Sequence, residues 1–376
     1  MTMKVVVDEK IPFIKDVLEP FADVEYFPGI QIDNDKIKDA DALIIRTRTN
    51  CNAKLLDGSN VKFIASATIG FDHIDIEYCK KNNIFWTNAP GCNSGSVMQY
   101  IASAITLYAK ERDIDLNKRT LGVVGVGNVG KKVVRLAEIL GMRVLLNDPP
   151  RARAEGPCGF VSLEGILREA DIISLHVPLN QDGEDTTYHM VNDDFLGNLN
   201  KGTLLINSSR GEVIDTMALK RNLNKGNPES VILDVWENEP DIEFDLLCES
   251  FIATPHIAGY SADGKANGTK MAVQALSKHF KLELNDWEPY DIPVPPKTII
   301  EYDGRNKTFQ EIVTELILQT YNIRNDDRAL RNSVTDFELL RGNYPLRREF
   351  NTFRLKVENV SDENKKQLMR LGFQIE

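Results

Sequence analysis

The stretch Leu121-Gly122-Val123-Val124-Gly125-Val126-Gly127-Asn128-Val129-Gly130 decides how the whole chain is read. Its apolar part, 121–126, predicts a buried strand, and the spacing G-x-G-x-x-G opens a helix over 130–140. Gly125 permits a tight turn, Gly127 lets the backbone approach a pyrophosphate, and Gly130 lets helix and strand pack closely. Asn128 and Val129 complete a loop whose helix N-terminus presents free N–H groups to that anion. Past the next strand, 144–147, stands Asp148, whose carboxylate accepts hydrogen bonds from an adenosine ribose diol and repels a 2′-phosphate. NAD is therefore the expected cofactor, ahead of NADP. Arg151 and Arg153 follow and offer the opposite reading, a 2′-phosphate partner. The bland reading of Asp148-Pro149-Pro150 is a turn that needs no ligand.

On either side of this stretch, short apolar strands alternate with helices. The N-terminal third carries strand candidates at 4–7, 42–46, 61–67 and 84–87, too apolar to be half-exposed, then a helix over 93–110. After the glycine loop come strands at 144–147, 172–176, 203–207, 231–235 and 251–254, with a helix at 163–169. The fold class is α/β, with two doubly wound parallel-sheet, Rossmann-like domains and a cleft between them. Pro289, Pro293, Pro295 and Pro296 make 287–297 a stiff linker. Beyond it a helix at 308–319, a strand at 353–357, a helix at 362–371 and a short strand at 373–375 predict a small C-terminal α+β domain.

Composition narrows the function. With 376 residues the chain holds two or three domains, and 45 basic against 56 acidic residues leave a net charge of −11. That balance argues against nucleic acid or an anionic membrane as the main partner. No run approaches the roughly 18 apolar residues of a membrane span, and the first residues lack a signal-peptide pattern. Five scattered cysteines form no C-x-x-C pair, which suits a reducing cytoplasm and offers no metal framework.

Three polar residues stand just past strands of the second domain: Arg210 in Asn-Ser-Ser-Arg-Gly, Glu239 in Asp-Val-Trp-Glu-Asn-Glu-Pro, and His256 in Thr-Pro-His-Ile-Ala-Gly-Tyr. Ligands of parallel sheets bind at the carboxyl ends of the strands. The three types suit hydride transfer from an alcohol that carries a neighbouring carboxylate. Arginine grips the carboxylate, histidine removes the hydroxyl proton, and glutamate sets the histidine tautomer. Singly, each residue has an ordinary surface or capping explanation; in this order behind a nucleotide loop, coincidence is a poor account.

These motifs, GVGNVG, HVPL at 176–179, NSSRGEVID at 207–215, DVWENEP at 234–240 and TPHIAGY at 254–260, resemble the NAD-dependent D-2-hydroxyacid dehydrogenase family. The resemblance implies Arg210, Glu239 and His256 as the catalytic set. It implies that Val177, Ser208, Ser209, Arg210, Asp234 and Gly259 join Gly125, Gly127, Asn128, Val129, Gly130 and Asp148 around the cofactor. It also implies a discontinuous substrate domain, 1–96 with 258–285, around an NAD domain at 97–257. DPPR at 148–151, HIAGYS at 256–261 and YNIRNDDRALR at 321–331 are similar to one branch of that family, the erythronate-4-phosphate dehydrogenases. That branch implies oxidation of 4-phospho-D-erythronate to 3-hydroxy-2-oxo-4-phosphooxybutanoate in pyridoxal 5′-phosphate biosynthesis, and a homodimer formed through 286–376.

The substrate's recognition is expected in the N-terminal domain, at Arg46, Thr47, Thr68 and Tyr260. Arg46 and Arg48 flank Thr47 at a strand's carboxyl end and point to one side if the chain stays extended. Arg347-Arg348 is a second candidate for the phosphate. Two departures from the wider family stand out: Thr68 where glycine is frequent, and Gln99 where many relatives have glutamate. Competing readings are a D-3-phosphoglycerate dehydrogenase with a regulatory C-terminal domain and, outside enzymes, an NAD-sensing co-repressor.

Overall fold

The computed structural model describes residues 2–376, and the chain divides into two compact units. The first runs up to Asn93 and resumes over Tyr260–Val294. Its strands β1 (Lys4–Asp8), β2 (Asp23–Phe27), β3 (Ala42–Ile45), β4 (Phe63–Ser66) and β5 (Phe85–Thr87) form one parallel sheet in the order β2-β1-β3-β4-β5. Side chains of a strand alternate between faces, and the core divides accordingly. Val5, Val7, Ala42, Ile44, Phe63 and Ala65 pack with Ala272, Val273 and Leu276 of the helix Ala262–Phe280. Val6, Leu43, Ile45 and Ile64 pack on the opposite face with Ile37, Leu55, Leu56 and Cys79. The returning segment is thus one of the two layers that make this sheet stable. β2 escaped the sequence reading because Asp-Val-Glu-Tyr-Phe is a half-exposed edge strand rather than a continuous apolar run.

The second unit comprises Ser94–Gly259 and Pro295–Glu376. Its main sheet contains β6 (Thr120–Val124), β7 (Arg143–Asn147), β8 (Ile172–Leu175), β9 (Leu204–Asn207), β10 (Ser230–Leu233) and β11 (Ile252–Ala253). All are parallel, in the order β11-β10-β9-β8-β6-β7. The helix Ser94–Arg112 is buried nearly all round, even at Ser96, Gln99, Ser103 and Thr106, because other helices pack on it. Those polar residues need partners inside the unit, and the C-terminal segment supplies several of them.

A third sheet, β12 (Ile299–Asp303), β13 (Arg354–Glu358) and β14 (Gln374–Ile375), is also parallel. The helices Phe309–Thr320 and Asp362–Leu371 lie between its strands in sequence, the first opened by a capping box of Thr308 and Glu311. The proline-rich stretch at 287–297 has no regular element. β12 was missed because Ile-Ile-Glu-Tyr-Asp alternates buried and exposed residues directly after it.

The helix Ile323–Asn332 was also missed, and it has a specific task. β11 is the outer strand of its sheet, which leaves backbone groups to be satisfied. Asp327, 2% exposed, accepts the Ala253 N–H at 2.9 Å. Arg324 donates to the Phe251 carbonyl at 2.9 Å, and Arg331 donates to the carbonyls of Leu247 and Ser250 at 2.8 and 2.6 Å. One carboxylate of this helix therefore satisfies an N–H of β11, and two of its arginines hold carbonyls of the segment that leads into that strand.

Candidate active site

Sheet order brings the carboxyl-end loops into a single row. His256 follows β11, Asp234 and Glu239 follow β10, and Ser208 to Arg210 follow β9. Val177 follows β8, the glycine loop β6 and Asp148 β7. Neighbouring strands lie about 4.8 Å apart, so residues more than a hundred positions apart in sequence share one edge.

Each glycine of the loop has its own geometry. Gly125 has φ +86°, and a Cβ there would lie 2.5 Å from the His176 carbonyl oxygen. A Cβ on Gly130 would lie 2.1 Å from the Gly125 carbonyl oxygen, so the helix Asn128–Ile139 sits directly on the turn. Gly127 precedes that helix without a side-chain cap, and a Cβ there would meet no heavy atom within 4 Å. Bare backbone N–H groups beside open space suit a pyrophosphate. Asp148 Oδ2 accepts the Val126 N–H at 2.8 Å and Oδ1 the Arg151 N–H at 3.1 Å, leaving lone pairs for a ribose diol. Arg151 is paired with Glu155 and donates to the Val126 carbonyl, while Arg153 is paired with Glu184 and Asp185. Both arginines are thus tied to carboxylates, which removes the main argument for a 2′-phosphate.

The Arg210 turn is built on Asn207, whose Oδ1 accepts the Ser209 N–H and hydroxyl at 3.0 and 2.7 Å. Its Nδ2 donates to the Arg210 carbonyl at 2.9 Å, and Arg210 itself donates to the Ser209 carbonyl. The Ser208 hydroxyl is buried with no partner among the described residues, an orphaned polar group that a bound ligand would satisfy. Val177 borders the glycine loop, its Cγ1 being 3.0 Å from the place of a Gly125 Cβ. Neighbouring His176 bonds Ser174 at 2.9 Å, and burial pushes its imidazole down to about 3. His176 is therefore a neutral structural group.

His256 Nδ1 lies 2.8 Å from Glu239 Oε2, and Glu239 Oε1 accepts the Trp236 N–H at 2.8 Å. Burial raises the Glu239 carboxyl, but the hydrogen bond and charge of His256, the Trp236 N–H and the Arg341 charge together outweigh it, so the group stays below the usual carboxylate range. His256 has φ +56°, in the left-handed region that is uncommon for side chains other than glycine. Its own N–H donates to the Asp234 carbonyl at 2.7 Å. The Asp234 carboxylate, 1% exposed, accepts the N–H groups of Ile257 and Ala258 at 2.8 and 2.9 Å and the Thr254 hydroxyl at 2.7 Å. Burial raises the Asp234 pKa, opposed by the His256 charge and these bonds. Asp234 is thus first the anchor of the histidine loop, a role that motif order alone did not disclose. Three of its four acceptor sites are taken, so one remains for a ligand donor. Thr254 in turn contacts the Tyr100 hydroxyl at 2.8 Å, and Gly259 closes the loop.

In the first unit, Arg46 and Thr47 follow β3, and Thr68 follows the adjacent β4. The chain turns immediately at 46–49, with the Thr49 N–H on the Arg46 carbonyl. The extended geometry that set Arg46 and Arg48 on one side is therefore corrected. Arg46 is half-buried and donates to the Lys10 carbonyl at 3.3 Å, whereas Thr47 and Arg48 are exposed. The Thr68 hydroxyl contacts Ser66 at 2.7 Å and donates to the Gly70 carbonyl at 3.2 Å. Tyr260 stands just before the helix Ala262–Phe280, its ring 5.1 Å from the Lys265 ammonium.

The structure also accounts for Gln99. Its Nε2 donates to the Arg348 carbonyl at 2.9 Å, which a carboxylate could not do. Next to it Ser96 donates to Glu349 at 2.8 Å, so 348–349 are fastened to the helix Ser94–Arg112. Arg347 is buried and faces the Ala258 carbonyl rather than solvent.

Comparison with known proteins agrees with this geometry. Residues 100–258 match the family model of the D-isomer specific 2-hydroxyacid dehydrogenase NAD binding domain, and 292–372 match a domain of unknown function. An erythronate-4-phosphate dehydrogenase of Bacteroides fragilis is 49% identical over 94% of this chain and 99% of its own length. One from Proteus mirabilis is 40% identical over 95% of this chain and 96% of its own. Among solved structures, an Aquifex aeolicus D-lactate dehydrogenase complexed with NAD and lactic acid has a TM-score of 0.63 at 28% identity, covering 74% of this chain and 95% of its own. The NAD-bound 3-phosphoglycerate dehydrogenase of Entamoeba histolytica gives 0.63 at 27% identity, covering 77% and 98%. The chain belongs to the erythronate-4-phosphate dehydrogenase family of NAD-dependent D-2-hydroxyacid dehydrogenases.

Proposed function

We propose that the protein oxidises the C2 hydroxyl of 4-phospho-D-erythronate to the 2-oxo acid, 3-hydroxy-2-oxo-4-phosphooxybutanoate, a step toward pyridoxal 5′-phosphate. The observation that carries this reading is the match to erythronate-4-phosphate dehydrogenases over 94% of the chain, C-terminal segment included. NAD, once bound, supplies the hydride acceptor. The glycine loop and Asp148 hold its pyrophosphate and ribose, with Ser208, Ser209, Asp234, Val177 and Gly259 toward the nicotinamide end. With Glu239 on Nδ1, the imidazole keeps its proton there and offers Nε2 to the substrate hydroxyl. His256 takes that proton during oxidation and returns it during reduction. Arg210 pairs with the substrate carboxylate and polarises the forming carbonyl.

Arg46, Thr47, Thr68 and Tyr260 serve the rest of the substrate, with an arginine on the phosphate. The substrate-binding portion is 1–96 with 258–285, the NAD-binding portion 97–257, and 286–376 joins two copies in a cytoplasmic homodimer. The free state of all five cysteines and the exposed Leu339 and Leu346 side chains are in keeping with that. The deciding experiment is NADH formation from 4-phosphoerythronate, erythronate and 3-phosphoglycerate in parallel. Preference for the first is expected, and preference for 3-phosphoglycerate would sink the assignment. Arg46→Ala and Arg48→Ala, assayed on phosphorylated and unphosphorylated hydroxyacids, identify the phosphate partner by a rise in KM confined to the former. Light scattering tests the dimer.

A further inference from the structure

Arg347 has no part in the chemistry described above, yet it is buried directly behind the histidine loop. It is 5% exposed, and its Nη2 donates to the Ala258 carbonyl and, at 3.4 Å, to that of Ser96. Its guanidinium lies over the Tyr321 ring, 4.5 Å from the centroid, and 5.7 Å from that of Tyr344. Among the described residues, Nε and Nη1 have no hydrogen-bond partner. The hydroxyls of Tyr321 and Tyr344 both donate to Asp326 Oδ2, at 2.7 and 2.8 Å. A cation, two phenols and a carboxylate thus share one interior, and all four come from the C-terminal segment.

Burying a charge with unsatisfied N–H groups is costly, and apolar residues of similar volume often stabilise a core better. Stability is therefore a poor reason for this group. Position is a better one. The left-handed backbone of His256 is strained, and such residues persist only where their surroundings over-determine them. On one side the loop is held by Asp234 through the N–H groups of Ile257 and Ala258. On the other side, the Ala258 carbonyl is held by Arg347. The arginine is itself set in register by the Gln99 bond to Arg348 and by its stack on Tyr321.

We propose that Arg347 is a positioning residue for hydride and proton transfer, clamping the Ala258 carbonyl so that the His256 imidazole is held at its working angle. The C-terminal segment then serves catalysis within its own chain. This rests on the assignment of His256 as the proton-transferring group. Misplacing a reacting group by about 1 Å can cost on the order of 100-fold in rate, so a loosened loop should show in kcat while leaving the glycine loop alone.

The test compares wild type with Arg347→Met, Arg347→Lys and Tyr344→Phe on the 2-hydroxyacid the wild type oxidises fastest. The readouts are kcat, KM, NAD affinity, melting temperature and the primary isotope effect with C2-deuterated substrate. Arg347→Met should lower kcat by roughly 10–100-fold and raise the isotope effect as chemistry becomes limiting, with NAD affinity nearly unchanged. Arg347→Lys should recover part of the rate, because it keeps the charge without the planar fork. Tyr344→Phe should show a smaller change in the same direction with little change in melting temperature. A lower melting temperature with wild-type kcat and isotope effect in the folded variants overturns the proposal. Should Arg347→Met not fold, Arg347→Lys and Tyr344→Phe decide it by the same readouts. A wrong substrate assignment shows separately, as the wild type's own preference.

Discussion

Glu239 Oε2 and His256 Nδ1 stand 2.8 Å apart, and the other Glu239 oxygen is fixed by the Trp236 N–H. A carboxylate held at both oxygens cannot swing away, so the imbalance between the two imidazole nitrogens is built in: Nδ1 donates and Nε2 accepts. His256→Ala should therefore lower turnover by about 10²–10⁴-fold with NAD affinity nearly intact. Near-normal turnover would remove His256 from the mechanism. Glu239→Gln should impair kcat more than KM.

The same pair makes stability depend on pH in a definite direction. The Glu239 pKa is lowered in the folded protein, so the folded state favours its ionised form. That contribution is complete above the unfolded value of 4.5 and is lost as pH falls through the lower folded value. The melting-temperature advantage of wild type over Glu239→Gln should shrink as pH falls below about 4.5. An advantage that grows as pH falls below that value would contradict the pairing.

Gly211 follows Arg210, and a Cβ there would lie 2.0 Å from the Trp236 carbonyl oxygen. Backbone meets backbone, so no rotamer can relieve the contact. Gly211→Ala should destabilise by about 1–3 kcal/mol or more and separate the Arg210 turn from the Glu239 loop. Chemical denaturation and kcat/KM check both effects; a neutral substitution would mean the loops separate freely.

Asp148 accepts the Val126 N–H and caps the helix Pro149–Glu155. Asp148→Ala should cost about 0.5–2 kcal/mol as a lost cap. It should also weaken NAD binding and narrow the preference over NADP. Wild-type preference for NADP would refute the ribose assignment.

Asp327→Ala should leave the Ala253 N–H orphaned and take a carboxylate from Arg324 and Arg331. An unsatisfied buried donor costs about 1–3 kcal/mol. Because β11 leads to His256, hydrogen exchange at residues 252–258 should quicken in this variant. Unchanged protection there would show that the edge needs no cover.

The two large sheets were legible in the sequence because strands covered on both faces are continuous apolar runs. Val5-Val6-Val7 and Leu204-Leu205-Ile206 are legible without any partner in view. β2 and β12 were not, since each is half-exposed and mixes apolar with acidic residues. The helix Ile323–Asn332 was hidden for a related reason: its Asn, Asp and Arg residues look like a solvated loop until β11 is seen to need them.

The candidate site divides in the same way. A glycine loop, an acid beyond the next strand, and Arg210, Glu239 and His256 after successive strands are local patterns, so the sequence alone determined the cofactor class and singled out the catalytic set we propose. Only the tertiary structure decided what holds them. Asp234 anchors the histidine loop, Gln99 fastens the C-terminal segment, and Arg347 lies behind Ala258. Each of these depends on a hydrogen bond to a backbone group that any residue type could present. A carbonyl or N–H leaves no mark on the identity of its residue, so such partnerships appear only once the chain is folded and the groups are within 3 Å of one another.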